Sequence, residues 1–336
     1  MTLRRHQVTC MATITLAACL VRCGPGTPKA GTVFGGPIPR ADGAAAAVNG
    51  SVYYIGGLAD GGESTAIEVY DHQQGRWLSK KPMPTARAAM YAVVANGQIY
   101  VIGGRKENAI LEVVERYDPV TDSWSQCAPM TTARWRHIAA VFKEKIYVFG
   151  GIAGTGDARR VLSTVEVYDP TADSWFQATP MSAGKSGGAA AVLDDKIYLA
   201  GGKLGAGAGA PATERVDVYD PDLDRWALGR PLPTRRVSGC AAVIADRLYV
   251  LGGGTAGGLT KPVEVYEVKT DTWRSGAPLS LWSETTTVAH RSAIPCMWWG
   301  ERTRLMGRPS SPRQRPTGHS LLLNERGENS LGTRTA

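Results

Sequence analysis

Five basic residues occupy one position of a recurring pattern: Arg40, Arg87, Arg134, Lys185 and Arg236 each stand sixteen residues ahead of a Gly-Gly pair. Arg136 and Arg235 lie beside this slot, and Tyr91, Trp135 and His137 fall in the same segments. Guanidiniums gathered in this way can grip carboxylates through forked hydrogen bonds. Aromatic side chains next to arginine are frequent anchors of binding surfaces. The chemistry on offer is therefore anion recognition, with carboxylates, acidic peptides or acidic sugars as ligands. A second reading stands beside it. Each slot residue pairs with a carboxylate or carbonyl of a neighbouring repeat and ties the repeats together, while the aromatics pack where repeats meet.

Covalent chemistry is poorly supplied. His72, His137 and His290 are far apart in sequence, and the six cysteines, at 10, 19, 23, 127, 240 and 296, form neither a CxxC pair nor a regular framework. There is no phosphate loop, nucleophile elbow or paired metal motif. The expectation is a chain without a catalytic constellation, metal or cofactor, in which Cys127 and Cys240 are small buried apolar residues. The net charge of +8 is concentrated at the ends: residues 1–30 and 301–336 carry +4 each, and the 270 residues between them are neutral. A neutral body argues against a nucleic-acid-binding surface, which needs clustered positive charge.

The elements that must position the basic slot recur with a period of 47 to 51 residues. The glycine pairs are Gly56-Gly57, Gly103-Gly104, Gly150-Gly151, Gly201-Gly202 and Gly252-Gly253. A Tyr and, seven residues on, a Trp follow each pair: Tyr70/Trp77, Tyr117/Trp124, Tyr168/Trp175, Tyr219/Trp226 and Tyr266/Trp273. Five residues later comes Pro-Met or Pro-Leu, as at Pro82-Met83 and Pro278-Leu279. Small apolar runs such as Ala44 to Val48 and Ala88 to Val94 read as first strands. Tight turns follow at Asn49-Gly50, Asn96-Gly97, Lys143-Glu144, Asp194-Asp195 and Asp246-Arg247. Runs such as Ile99 to Ile102 supply second strands, and Glu115-Arg116-Tyr117 and its counterparts supply third strands. Trp then opens the fourth. Short strands of this kind bury both faces only by stacking units around an axis.

This pattern closely resembles the kelch repeat over residues 40 to 280, and the resemblance implies an all-β propeller of five clear four-stranded blades plus a degenerate sixth. It also implies that first strands start near the central channel, which would make the basic slots an inner ring of charge. In eukaryotic kelch adaptors, basic residues at such turns contact acidic peptide segments. The repeated Tyr and Trp, by their fixed place, are packing residues, and Glu68, Glu115, Glu166, Asp217 and Glu264 are structural partners for loop amides or the basic slots. Because strands alternate in direction, the loops between second and third strands share a face with the links between blades. These loops vary, and those of the third and fourth repeats are four residues longer. Variable loops on a rigid scaffold are where recognition concentrates.

The chain divides into four segments. Residues 1–23 have the layout of a secretory leader, and Leu16-Ala17-Ala18-Cys19 resembles a bacterial lipobox with Cys19 as its lipidation site. Residues 24–39 form a Gly/Pro spacer and, at Gly31 to Gly36, a closing strand. The propeller occupies 40–300, in which Thr285 to Ala289, Ile294 to Trp298 and Trp299-Gly300 either build a decayed sixth blade or leave an open five-blade fragment. Residues 301–336 are a disordered basic tail, either a binding arm or a decayed or frameshifted coding end. The expected function is a non-catalytic scaffold for a protein or acidic ligand, with no nucleic acid as partner and a membrane engaged only through lipidated Cys19. Its place is the cell envelope or the secreted fraction, or the cytoplasm if the leader is inactive. The alternative is a sugar-active enzyme like the sialic-acid mutarotase found among exported bacterial kelch proteins. Nothing here matches the copper site of galactose oxidase, another kelch enzyme.

Overall fold

The computed structural model describes residues 38–276 apart from 72–73, 206–209, 256–257 and 261. The leader, the spacer up to residue 37, the sixth-blade segment and the basic tail lie outside the described residues. Five four-stranded antiparallel sheets follow one another along the chain. Blade one is built from Ala44–Val48, Ser51–Ile55, Ile67–Asp71 and Arg76–Ser79, and blade two from Tyr91–Ala95, Gln98–Ile102, Val114–Asp118 and Ser123–Cys127. Blade three comprises Ile138–Phe142, Lys145–Phe149, Val165–Asp169 and Ser174–Ala178. Blade four comprises Ala189–Leu193, Lys196–Ala200, Val216–Asp220 and Arg225–Leu228, and blade five Cys240–Ile244, Arg247–Leu251, Glu264–Glu267 and Thr272–Ser275. The described residues form five blades of an all-β propeller, the five clear blades that the resemblance implies; the segment expected to build a degenerate sixth lies outside them.

The Asn-Gly turns take positive φ at both central residues, 52° and 75° at Asn49-Gly50 and 49° and 72° at Asn96-Gly97, which is the twist that matches paired strands. Two boundaries differ from the sequence reading. The last hairpin turns one residue earlier, at Ala245-Asp246, so Arg247 opens the next strand. The first strand of blade two begins at Tyr91, whereas Ala88 bridges Arg105 and Ala89 turns the chain at φ +54°.

That turn recurs. Asp42, Ala89, Arg136, Gly187 and Ser238, each two residues beyond a basic slot, all have positive φ. Their backbones form an inner arc in which each N–H donates to the preceding blade's carbonyl: Ala89 to Asp42 at 2.8 Å, Arg136 to Ala89 at 2.9 Å, Gly187 to Arg136 at 2.8 Å and Ser238 to Gly187 at 2.7 Å. First strands of successive blades adjoin, so they line the inside of the propeller.

Between blades lie four apolar cores, each shared by two neighbours. The second-strand Tyr of one blade packs against the third-strand Tyr of the next with ring centres 5.9 Å apart, at Tyr53/Tyr117, Tyr100/Tyr168, Tyr147/Tyr219 and Tyr198/Tyr266. The Trp indoles reach back to the previous blade, as when Trp175 donates to the Ala128 carbonyl at 2.8 Å and Trp226 to that of Thr179 at 2.8 Å. The Tyr and Trp of the repeat are therefore inter-blade packing residues.

A carboxylate completes each joint. Asp173 accepts the Tyr168 hydroxyl at 2.5 Å and the Ala128 N–H of the previous blade at 2.8 Å, and Asp122 accepts Tyr117 and Lys81 N–H in the same way. Chiefly through the tyrosine hydroxyl, Asp122 and Asp173 are held below the usual carboxylate range. A depressed native pKa stabilises the fold above the unfolded value of about 4, and that contribution is lost as pH falls below it. Thermal midpoints measured from about pH 5 down to about pH 3 should therefore fall. The Asp122→Asn/Asp173→Asn double variant should be less stable at neutral pH and show a shallower acid slope. An identical slope in the two proteins would refute the assignment.

Candidate binding face

The basic slots are not a solvent-facing mouth. Arg87, Arg134 and Lys185 are fully buried, and Arg40 and Arg236 are exposed by 2% and 1%. Each pairs with the acidic residue of its own blade: Arg40 with Glu68 at 2.8 Å, Arg87 with Glu115 at 2.6 Å, Arg134 with Glu166, Lys185 with Asp217 at 2.7 Å and Arg236 with Glu264 at 2.7 Å. Most of the remaining donors go to carbonyls; Arg134 also donates to the Thr164 hydroxyl, and the Nε atoms of Arg87 and Arg236 have no hydrogen-bond partner among the described residues. Arg40 Nε binds the Gly56 carbonyl at 2.8 Å, and an Arg134 terminal nitrogen binds that of Gly150 at 2.9 Å. Burial pulls the Arg87 guanidinium down to about 10, against the opposing pull of Glu115. Burial likewise lowers Arg134 and Lys185, with Glu166 and Asp217 opposing it.

This corrects the anion-binding reading of Arg40, Arg87, Arg134, Lys185 and Arg236: their charges are already neutralised inside the fold. It also refines the tying role. The side chain serves its own blade, and the backbone ties the blades together. The second glycine of each pair donates its N–H to the slot carbonyl of the next blade, at 2.9 Å for Gly57 to Arg87, Gly104 to Arg134 and Gly151 to Lys185, and 2.7 Å for Gly202 to Arg236. A Cβ on Gly103, at φ +54°, would stand 2.5 Å from the Arg134 carbonyl oxygen, so the close approach demands glycine.

The other candidates divide. His137, 1% exposed, packs against Tyr91 with ring centres 6.0 Å apart, at the junction of blades two and three. Trp135 is 9% exposed and sits on Ala89 and Ile152. Arg136 and Arg235 are the exposed members, their side chains 39% and 62% accessible, with Arg136 3.7 Å from Asp42 and Arg235 2.6 Å from Glu214. Cys127 and Cys240 are buried, and burial raises the Cys127 thiol. Cys19 lies outside the described residues.

What the surface offers instead are the loops between second and third strands. Among the described residues four of them fold into short two-stranded ribbons, including Arg105–Lys106 with Ala109–Ile110 in blade two and Ile152–Ala153 with Arg160–Val161 in blade three. Each loop begins by bridging the segment that enters its own blade, at Ala41/Leu58, Ala88/Arg105, Trp135/Ile152, Ser186/Lys203 and Val237/Gly254. Loops and inter-blade links therefore share one face. Two clefts open on it. One, of about 240 Å³, is flanked by Arg105 and Arg159 over Trp135; the other, of about 380 Å³, lies between the blade-four loop and Arg235. Arg105 and Arg159 escape a search for repeated residues because they belong to loops that differ from blade to blade. Among the described residues no group of three or more His, Cys, Asp or Glu could hold a metal ion, and no helix is long and apolar enough to cross a membrane.

Blades joined at glycine pairs, a buried charge pair in each and variable loops on one face define a repeat-built propeller. The family model described as the KLHDC2/KLHL20/DRC7 Kelch-repeats domain matches residues 27–151 and 78–228, and the Kelch motif matches 235–280. The chain belongs to the kelch-repeat family. Kelch-like protein 7 of Rattus norvegicus is 33% identical over 98 residues, 29% of this chain and 16% of that protein. Alpha-scruin of Limulus polyphemus is 30% identical over 212 residues, 60% of this chain and 17% of that protein. The chain thus spans less than a fifth of the length of these relatives. The solved structure of YjhT superposes with a TM-score of 0.62 at 21% identity, covering 74% of this chain and 87% of the other, a likeness of fold.

Proposed function

We propose that this chain is a non-catalytic scaffold that docks a protein partner through the face bearing the loops between second and third strands. The observation that carries this is the division of labour within each repeat. The recurring polar residues are consumed inside the blades, and among the non-recurring ones Arg105, Arg159 and Arg235 line two clefts on one face, with Lys106 exposed in the blade-two loop. Membership of the kelch-repeat family supports a protein partner over a substrate. An acidic partner suits the exposed arginines, since complementary charge at a rim governs encounter and partner choice.

The test is capture from cell extract by the full chain, run beside a screen of acidic sugars for turnover. Lys106→Glu/Arg235→Glu reverses two charges on the loop face, and Lys196→Glu reverses one at a first-to-second-strand turn on the opposite face. The first should weaken capture at least about tenfold with the fold intact. The second should leave it unchanged. Turnover of an acidic sugar by the purified chain would instead favour the mutarotase-like enzyme.

A further inference from the structure

The smaller cleft has chemistry of its own. Its walls come from the blade-two ribbon, with Arg105 and the turn residues Glu107 and Asn108, and from the blade-three loop, with Thr155 and Arg159; Trp135 forms its floor. The Arg105 and Arg159 guanidinium carbons stand 5.7 and 4.9 Å from the centre of the Trp135 ring, and Arg136 stands 5.1 Å from the same ring. An indole face attracts cations through its quadrupole without neutralising them. Among the described residues Arg136 has Asp42 at 3.7 Å, whereas neither Arg105 nor Arg159 forms an ion pair. The buried Nε of Arg105 lacks a hydrogen-bond partner among them, as do those of Arg87 and Arg236, so the difference lies in the missing carboxylate. The contrast with the slots is direct, since every slot cation in this fold meets a carboxylate.

We propose that this cleft binds a phosphomonoester group. Two guanidiniums without carboxylate partners call for a ligand carrying two negative charges on one compact group. A phosphomonoester carries close to two at neutral pH and presents three acceptor oxygens. It can therefore satisfy both arginine forks at once and still accept from the Thr155 hydroxyl or the Asn108 amide. A single carboxylate carries one charge and two oxygens, and it satisfies one fork. Among the described residues lining the cleft Glu107 is the one carboxylate, and it opposes any anion bound there. The proposal rests on the loop face being the binding face, and it adds the ligand class.

Calorimetric titration of the full chain with O-phosphoserine, glucose 6-phosphate, inorganic phosphate and the dicarboxylate glutarate tests it. The phosphate probes should bind at least about tenfold more tightly than glutarate. Arg105→Gln and Arg159→Gln should each weaken phosphoserine at least about tenfold with thermal midpoints retained, and Glu107→Gln should tighten it. Arg159 is exposed, so its variant keeps the test decisive if the Arg105 variant folds poorly. Preference for phosphoserine would assign the site to a modified partner, for glucose 6-phosphate to a sugar phosphate, and equal binding of all three phosphates to the ion itself. Glutarate binding as well as the phosphates, or phosphoserine binding that survives both arginine variants, would overturn the proposal. Neither outcome would touch the docking reading, which Lys106 and Arg235 test separately.

Discussion

Arg134→Met should destabilise the propeller by about 3–5 kcal/mol, because it strands the Glu166 carboxylate in a fully buried site. For a domain of this size, each kcal/mol shifts the thermal midpoint by about 2–4 °C, so a fall on the order of 6–20 °C is expected. Two companion variants separate the causes. Arg134→Lys keeps the charge and should lose less, since Lys185 fills the same slot in blade four opposite Asp217 at 2.7 Å. Arg134→Met/Glu166→Leu removes both charges and should recover part of the loss, because a buried pair can be replaced by apolar groups at little cost. It will not recover all of it, since the Gly150 carbonyl also loses its donor. A midpoint unchanged in Arg134→Met would contradict the strut role outright.

Gly103→Ala carries the second large effect. The residue sits at φ +54°, and its new Cβ would meet the Arg134 carbonyl at 2.5 Å and the Met130 methyl at 2.8 Å. Left-handed backbone costs about 1–2 kcal/mol for an alanine. Overpacking against the next blade's backbone adds about 1–3 kcal/mol, giving a total on the order of 3 kcal/mol or more. Gly97 provides an internal control, because it too has a left-handed backbone, at φ +72°, but a Cβ there meets nothing within 4 Å among the described residues. Gly97→Ala should cost only the backbone share. Equal losses at the two positions, read as denaturation midpoints, would show that inter-blade contact is not what demands glycine at Gly103.

The glycine pairs, tyrosines and tryptophans made the propeller legible in the sequence, because each sits where any other residue would break a joint between blades. The burial of the arginines was harder to see, since a basic residue beside small polar ones looks like a solvated turn. The signal was nonetheless present. Each slot is followed by an acidic residue 28 positions on, as in Arg40/Glu68, or 32 in the two repeats with longer loops, as in Arg134/Glu166. A base and an acid that move in step with loop length are partners across a blade. The turn residues Asp42, Ala89, Arg136, Gly187 and Ser238 shared no residue type to betray them, since what recurs there is a backbone angle. Arg105 and Arg159 were invisible for the opposite reason: a search for repetition passes over residues that do not repeat.

If recognition belongs to the loop face, as proposed, and the slot arginines serve the fold, Arg134→Met/Glu166→Leu should bind the partner captured by the unaltered chain as tightly as the parent does. The affinity is measured at a temperature where the variant is folded, beside Lys106→Glu/Arg235→Glu, which should lose at least about tenfold. A folded charge-pair variant that no longer binds, with the loop-face variant binding normally, would instead place recognition in the arginine slots.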